Sequence, residues 1–176
     1  MNLENKHVLI VGGGIVALRK IEKLIKFKPR LMVVAPKVLD EITSLEKEHI
    51  LTIKRRKFIM SDLRDKFMVV VATDDIVLQK RIYKTCLKKK IHCNSVDSKD
   101  YCTFLFPSLI LKEPVVIGIN TSGEAPSVSK YLRQKIEDVL PPNLEIIVKE
   151  VSSYRKIERS SEKINDYTRW LFSSHI

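Results

Sequence analysis

The feature that most constrains the fold is a run of apolar residues that leads directly into three glycines. Residues 8–11 are Val-Leu-Ile-Val, and Gly12, Gly13 and Gly14 follow them without a break. A buried parallel strand that turns into a helix through glycines leaves the helix N-terminus open to a phosphate group. The pattern therefore predicts a nucleotide-binding βαβ unit at the start of the chain.

The glycines follow the spacing G-x-G-x-x-A, which ends at Ala17. Gly12 allows the tight turn, Gly14 lets the backbone approach a pyrophosphate, and Ala17 permits close packing of the helix on the strand. The backbone N–H groups after Gly14 then face the anion. The alternative is a tight strand-to-helix turn that binds no ligand.

A second buried strand is predicted at residues 31–35, and it completes the βαβ unit. An Asp or Glu would normally follow it to bind the ribose hydroxyls of NAD, but this chain has Ala35, Pro36 and Lys37. Lys37 either attracts the 2′-phosphate of NADP or is a solvated surface lysine. These residues alone do not choose between the two dinucleotides.

Another strand is predicted at residues 67–72, which are continuously apolar. Thr73 and Asp74 follow it. Open α/β sheets bind ligands at the carboxyl ends of their strands, so both residues are candidates for a cofactor site. A competing role is helix capping, because Asp74 or Asp75 is a suitable N-cap for the helix predicted at residues 76–90.

The fifth predicted strand, residues 91–97, ends with Asn94 and Asp97 near the same crevice. A carboxylate at this position can act as a base. Two further strands, residues 103–111 and 115–120, are expected to pair with each other and to extend the sheet through an antiparallel step.

The last third of the chain is predicted to be helical. A helix at residues 127–140 has Pro126 in its first turn and ends at two prolines. From residue 143 onward the sequence is charged, with sparse apolar stripes that include Ile147 and Trp170. These helices either pack against a partner subunit or fold back on the same chain.

Length, charge and cysteine usage narrow the class of protein. A chain of 176 residues suits one domain or a nucleotide-binding domain with an appendage. We expect a cytoplasmic protein, because no apolar run is long enough to span a membrane and the first residues do not resemble a signal peptide. The three cysteines lack C-x-x-C spacing and the four histidines are scattered, so no metal site is expected, and Cys93 is interpreted as a core residue.

The net charge of +11 favours a polyanionic partner, which could be nucleic acid, an anionic membrane face or a small molecule with many carboxylates. A solvated lysine-rich surface is the simpler reading. The basic clusters contain few aromatic residues, which is poor evidence for a base-stacking surface. We therefore expect neither nucleic acid nor membrane as a partner.

In their order along the chain, these motifs resemble the precorrin-2 dehydrogenase family, which forms the N-terminal module of siroheme synthases. The resemblance covers residues 1–142, and the aromatic segment 167–170 is similar to the family's last helix. The matching segments are VGGGIVA at 11–17, VVAP at 33–36, ATDD at 72–75, NSVD at 94–97, FLFPS at 104–108 and NTSGEAP at 120–126.

The resemblance implies NAD-dependent oxidation of precorrin-2 to sirohydrochlorin by a homodimer, and some family members also insert ferrous iron. Asp97 matches the family's general base, and we expect burial or neighbouring carboxylates to raise the pKa of Asp97. Asn94, Thr121 and Ser122 fall where the family binds substrate. NAD would contact Gly12, Gly14, Ile15, Val16, Ala35, Pro36, Lys37, Thr73 and Asp74.

The expected fold is α/β, with a Rossmann-like NAD-binding domain at residues 1–112. An α+β region for dimerisation and substrate binding follows at 113–142, and a C-terminal helical segment at 143–176. Two departures from the family pattern, Thr121 and Ala125 where serine is usual, concern details of the substrate loop. An alternative function is a regulatory or redox-sensing module that binds NAD(H) without catalysis.

Overall fold

Five parallel strands form the sheet of the first unit, and β1 lies at its centre. The computed structural model describes residues 2–96 and 98–174. The strand order is β3-β2-β1-β4-β5, as the Rossmann-like prediction requires. The elements of this unit are β1 (His7–Val11), α1 (Ile15–Leu24), β2 (Arg30–Val34), α2 (Asp40–Lys47), β3 (Leu51–Lys54), β4 (Met68–Val71), α3 (Ile76–Lys89) and β5 (His92–Ser95).

The two central strands are apolar throughout because helices cover both faces of the sheet. Every residue of β4 is buried, and so is every residue of β1 after His7. Helix α1 packs onto the sheet through a face that repeats every three or four residues. The buried residues of that face are Ala17, Leu18, Ile21 and Leu24. Cys93 is fully buried in β5, as predicted.

The chain divides into two compact units, Met1–Leu105 and Phe106–Ile176. The second unit contains a two-stranded antiparallel sheet and three helices. Its elements are β6 (Ser108–Lys112), β7 (Val115–Ile119), α4 (Pro126–Val139), α5 (Leu144–Ile157) and α6 (Ser161–Ser174). Strand β6 therefore belongs to the second unit, although residues 1–112 were predicted to form the nucleotide-binding domain.

The prediction that residues 103–111 and 115–120 extend the main sheet is wrong, since β6 and β7 pair only with each other in the described part of the chain. Thr103 explains this difference, because it occupies the outer edge of β5. Its backbone N–H donates to the carbonyl oxygen of Cys93 at 2.7 Å, and its Oγ1 accepts from the Cys93 N–H at 2.8 Å. A single residue thus covers the edge on which a further strand would have to pair.

Helices α5 and α6 pack against each other. The contact buries Ile147 and Leu171, and the rings of Tyr154 and Tyr167 lie 4.5 Å apart. Part of the apolar stripes is thus buried within the same chain. Trp170 remains 59 % exposed. None of the helices within residues 2–96 and 98–174 is long and apolar enough to cross a membrane.

A buried carboxylate fixes the connection between β3 and β4. Both oxygens of Asp62 accept from the guanidinium of Arg56, at 2.6 and 2.8 Å, and Oδ2 also accepts from the N–H of Ile59 at 3.0 Å. The hydrogen bonds from Arg56 are the main reason that the pKa of Asp62 falls from 3.8 to about 2. Asp62 therefore stabilises the fold as an anion.

We expect Asp62→Asn to lower the free energy of unfolding by about 2 kcal/mol at pH 7, the value that a pKa difference of this size implies. Because the pKa is lower in the folded state, this contribution is complete above about pH 5 and is lost as the pH falls through about 2. Urea unfolding of both proteins at several pH values measures it. The exposed control Glu22→Gln should change stability little, and a constant Asp62→Asn deficit down to pH 3 would contradict the assignment.

Candidate functional site

A cleft of about 530 Å³ lies at the carboxyl ends of β1, β2 and β4. Three short segments supply its walls, and each one directly follows a strand. The cleft is lined by Gly12, Gly13, Gly14, Ile15, Val16, Ala17, Ala35, Pro36, Lys37, Ala72, Thr73 and Asp74. All nine residues predicted to bind the cofactor are in this set. The structure thus brings them together around one space of suitable size for part of a dinucleotide.

Gly12 is required where β1 approaches β4. Its φ of +121° is unfavourable for any residue with a side chain, and a Cβ atom would lie 1.9 Å from the carbonyl oxygen of Ala72. The neighbouring Ala72 N–H donates to the Val11 carbonyl at 2.7 Å. Gly12 therefore holds two strand ends in contact at the floor of the cleft.

Gly14 has a different role, because a Cβ atom at this position would meet nothing within 4 Å. Its backbone is extended, and α1 begins at the next residue. The N–H groups of the first helical turn have no acceptor within the helix, and that turn contains no acidic residue. Ile15 and Val16 are exposed at this end of α1, which leaves their backbone accessible to an anion. These features fit the pyrophosphate of a dinucleotide.

Gly13 was not predicted to be a site residue, yet it lines the cleft. A Cβ atom here would lie 2.4 Å from the carbonyl oxygen of Lys37 and 2.7 Å from a methyl group of Val38. The Gly13 carbonyl also accepts from the N–H of Leu39 at 3.0 Å. Gly13 thus packs the glycine loop against the segment after β2. The only indication of this role in the sequence is that Gly13 stands between Gly12 and Gly14.

The structure separates the two roles considered for the aspartates after β4. Asp75 caps α3, because its Oδ1 accepts from the Leu78 N–H at 2.9 Å. Asp74 is exposed and lines the cleft together with Thr73. Thr73 and Asp74 are thus available to a ligand, while the adjacent residue stabilises the helix.

A fully buried glutamine, which the sequence analysis did not identify, joins the cleft to β5. Gln79 of α3 is 1 % exposed. Its Nε2 donates to the carbonyl oxygen of Thr73 at 2.6 Å, and its Oε1 accepts from the hydroxyl of Ser95 at 2.8 Å. A polar residue on the inner face of an amphipathic helix was the only sequence signal for it.

The predicted catalytic residue, Asp97, lies outside the described residues, so its role and its raised pKa remain predictions. Asn94, predicted to bind substrate, is buried, and its side-chain N–H donates to the carbonyl oxygen of Phe104 at 3.1 Å. Its Oδ1 has no hydrogen-bond partner within residues 2–96 and 98–174. The Asn94 amide thus contacts its own chain.

Cys102 fixes the backbone of β5 near its end. Its Sγ accepts from the Ser95 N–H and lies equally close, at 3.2 Å, to the Ser95 carbonyl oxygen. Burial raises the pKa of the Cys102 thiol, which keeps the S–H proton available for donation at neutral pH.

Burial and the charge of Lys23 lower the pKa of Lys20 on α1, whereas its interaction with Cys102 raises that pKa.

The other two predicted substrate residues, Thr121 and Ser122, lie in the second unit between β7 and α4. Thr121 Oγ1 accepts from the Ala125 N–H at 3.2 Å, and the Asn120 side chain accepts from the Ser122 N–H at 2.7 Å. Side chains thus order this loop from within. Within the described residues, no group of three or more His, Cys, Asp or Glu side chains could hold a metal ion.

Comparison with known proteins gives three consistent matches. The family described as "Putative NAD(P)-binding" matches residues 1–108. A siroheme synthase of Pseudoalteromonas translucida is 34 % identical over 153 residues, which are 87 % of this chain and 32 % of that protein. A siroheme synthase of Buchnera aphidicola is 35 % identical over 155 residues, which are 88 % of this chain and 33 % of that protein.

The structural comparison agrees with this result for the fold. A solved structure named SirC, precorrin-2 dehydrogenase, matches with a TM-score of 0.76 and 24 % identity, covering 97 % of this chain and 86 % of that one. The chain spans about a third of the length of the siroheme synthases that it matches. The comparisons confirm the resemblance inferred from the motifs.

Two glycine substitutions should separate binding from folding. Gly14→Val places its side chain in the open cleft at an allowed backbone conformation, so it should weaken NAD⁺ binding by about tenfold or more and leave the melting temperature unchanged. Gly12→Ala should lower stability by about 3 kcal/mol, because it combines a clash with a strained φ. Calorimetric titration with NAD⁺ and thermal unfolding measure both effects. Normal NAD⁺ affinity in a folded Gly14→Val protein would contradict the proposed position of the pyrophosphate.

Proposed function

Because the chain belongs to the NAD(P)-binding family that matches its residues 1–108, we propose that it is an NAD-dependent precorrin-2 dehydrogenase. The reaction removes two hydrogens from precorrin-2 and gives sirohydrochlorin. The main support is that all nine predicted cofactor residues line one cleft, in a chain whose relatives are named siroheme synthases. The fold of SirC, precorrin-2 dehydrogenase, is consistent with this proposal.

The residues of the cleft suit a dinucleotide. The first turn of α1 would hold the pyrophosphate, while the segments after β2 and β4 would enclose the adenosine and nicotinamide ends. When bound, NAD⁺ supplies a hydride acceptor. We propose NAD rather than NADP on the family resemblance, although the segment after β2 has Lys37 in place of the usual acid.

Asp97 is proposed as the general base that takes the proton lost when the hydride leaves. In the sequence it stands two residues after the end of β5, and the carboxyl ends of the parallel strands lie at the edge of the sheet where the cleft opens. A base at this edge can be within reach of a substrate bound beside the cofactor. The net charge of +11 favours precorrin-2, because its acetate and propionate groups make it a polyanion.

We also propose that the active form is a homodimer that associates through the second unit. Helix α4 packs against β6 and β7, and a two-stranded sheet has little stability of its own. Several large apolar residues of this region remain exposed, including Tyr131 at 59 % and Leu132 at 42 %. A second copy of the same surface would bury them.

Ferrous iron is proposed as a second substrate. Insertion of iron into sirohydrochlorin releases two pyrrole protons, and the carboxylate of Asp97 would accept them one after the other, passing the first to solvent before it takes the second. This activity is measured separately from the oxidation by supplying sirohydrochlorin and Fe²⁺ or Co²⁺ without NAD⁺.

The central test is turnover of precorrin-2. Wild-type protein with NAD⁺ should produce NADH and sirohydrochlorin, both followed by absorbance. Asp97→Asn should bind NAD⁺ with unchanged affinity and lose turnover by about a hundredfold or more, because the base is neutralised but its shape is kept.

The outcomes of that test discriminate between the functions considered. Activity of Asp97→Asn above a few per cent would exclude Asp97 as the base. Wild-type protein that binds NAD⁺ but does not oxidise precorrin-2 would favour the redox-sensing module. Asp100→Asn, a nearby exposed carboxylate, is the matched control and should retain activity.

The dimer is tested by Tyr131→Glu combined with Leu132→Glu. Charges on this apolar surface should convert a dimer into a monomer, which sedimentation equilibrium measures as a halved mass. Ile157→Glu is the control, because Ile157 is 85 % exposed and is the last residue of α5 rather than a residue of α4. Wild-type protein that is monomeric throughout the concentration range would contradict the proposal.

A further inference from the structure

We propose that Gln79 is a positioning residue that couples the cofactor cleft to the strand end that precedes Asp97. The inference rests on the proposed function, since it concerns the same cleft and the same predicted base. Gln79 itself is buried and lines no part of the cleft among the described residues. It would therefore act through Thr73 on one side and Ser95 on the other.

Gln79 lies where the pairing of β4 and β5 ends. Val71 and Ser95 are partners in the last register position, and the Val96 N–H donates to the Val71 carbonyl at 3.1 Å. The Ala72 N–H lies on the other side of β4 and donates to the Val11 carbonyl of β1, as alternate residues of a central strand do. Val71 and Ser95 are therefore the last paired residues of the two strands.

The amide of Gln79 links the two strand ends because it has both a donor and an acceptor. Its N–H donates a hydrogen bond to the Thr73 carbonyl at 2.6 Å, and its oxygen accepts one from the Ser95 hydroxyl at 2.8 Å. The side chain thus adds a hydrogen-bonded link just beyond the last paired residues of β4 and β5. No apolar residue of the same size could satisfy both buried groups.

This bridge connects two parts of the proposed active site. Thr73 lines the cofactor cleft, and Ser95 stands two residues before Asp97. A shift of the Thr73 backbone on cofactor binding would be transmitted through one buried side chain to the end of β5.

Hydrogen exchange tests the coupling without requiring turnover. In wild-type protein, saturating NAD⁺ should slow amide exchange at residues 92–96. Gln79→Met should lose this protection even when NAD⁺ still saturates the protein. Ser95→Ala removes only the hydrogen bond between Ser95 and Gln79, and it should also lose the protection. This variant keeps the test valid if Gln79→Met does not fold. Thr85→Val removes a hydrogen bond within the same helix and should keep the protection.

Kinetics provide the second measurement. Ser95→Ala should lower kcat for precorrin-2 oxidation by about tenfold while the KM for NAD⁺ changes little, because the strand-side bond affects the predicted base rather than cofactor binding. A purely structural role would lower thermal stability without this separation. Thr85→Val should keep both kinetic constants.

The possible outcomes are distinct for the two proposals. Unchanged exchange protection in Ser95→Ala and in folded Gln79→Met would overturn the coupling, whatever the turnover. If NAD⁺ protects the wild-type protein and Gln79→Met loses that protection, but the wild-type protein does not oxidise precorrin-2, the coupling is supported and the proposed function is contradicted. Wild-type turnover with no effect of NAD⁺ on exchange at residues 92–96 would overturn the coupling alone.

Discussion

The close contact between the ends of β1 and β4 is the constraint on which the candidate site depends. Gly12 has no Cβ atom, and only for that reason can the Ala72 carbonyl lie against it. β1 pairs on its other side with β2, so the chain segments that follow all three strands converge on one edge of the sheet. The cleft is the space that remains between them.

Signals that are local in the sequence predicted much of this arrangement. The apolar runs that became β1 and β4 and the glycine loop before α1 are each specified by adjacent residues. The carboxyl ends of parallel strands must meet at one edge, so placing the strands also placed the residues after them. Together with the family resemblance, the strand ends assign nine cofactor residues from three separate segments to one site.

The features that sequence reasoning missed depend on contacts between distant residues. The pairing of β6 with β7 was predicted, but their separation from the main sheet was not, and the hydrogen bonds of Thr103 to Cys93 that cover the edge of β5 have no local signature. In the sequence, Gln79 is one polar residue of an amphipathic helix, and its role depends on two partners that lie far from it in the sequence or in the preceding loop, the Ser95 hydroxyl and the Thr73 carbonyl. Tertiary hydrogen bonds of this kind satisfy buried groups, and the pattern of apolar residues does not encode which groups those are.

The order of elements along the chain has a consequence for biosynthesis. The parallel sheet is complete at Ser95, and the first unit ends at Leu105, before any residue of β6. Ribosomes add about 5–20 residues per second, so translation of the rest of the chain takes on the order of seconds, longer than most small domains need to fold. The growing polypeptide can therefore fold its nucleotide-binding unit, and bind the cofactor, while its C-terminal helices are still being synthesised.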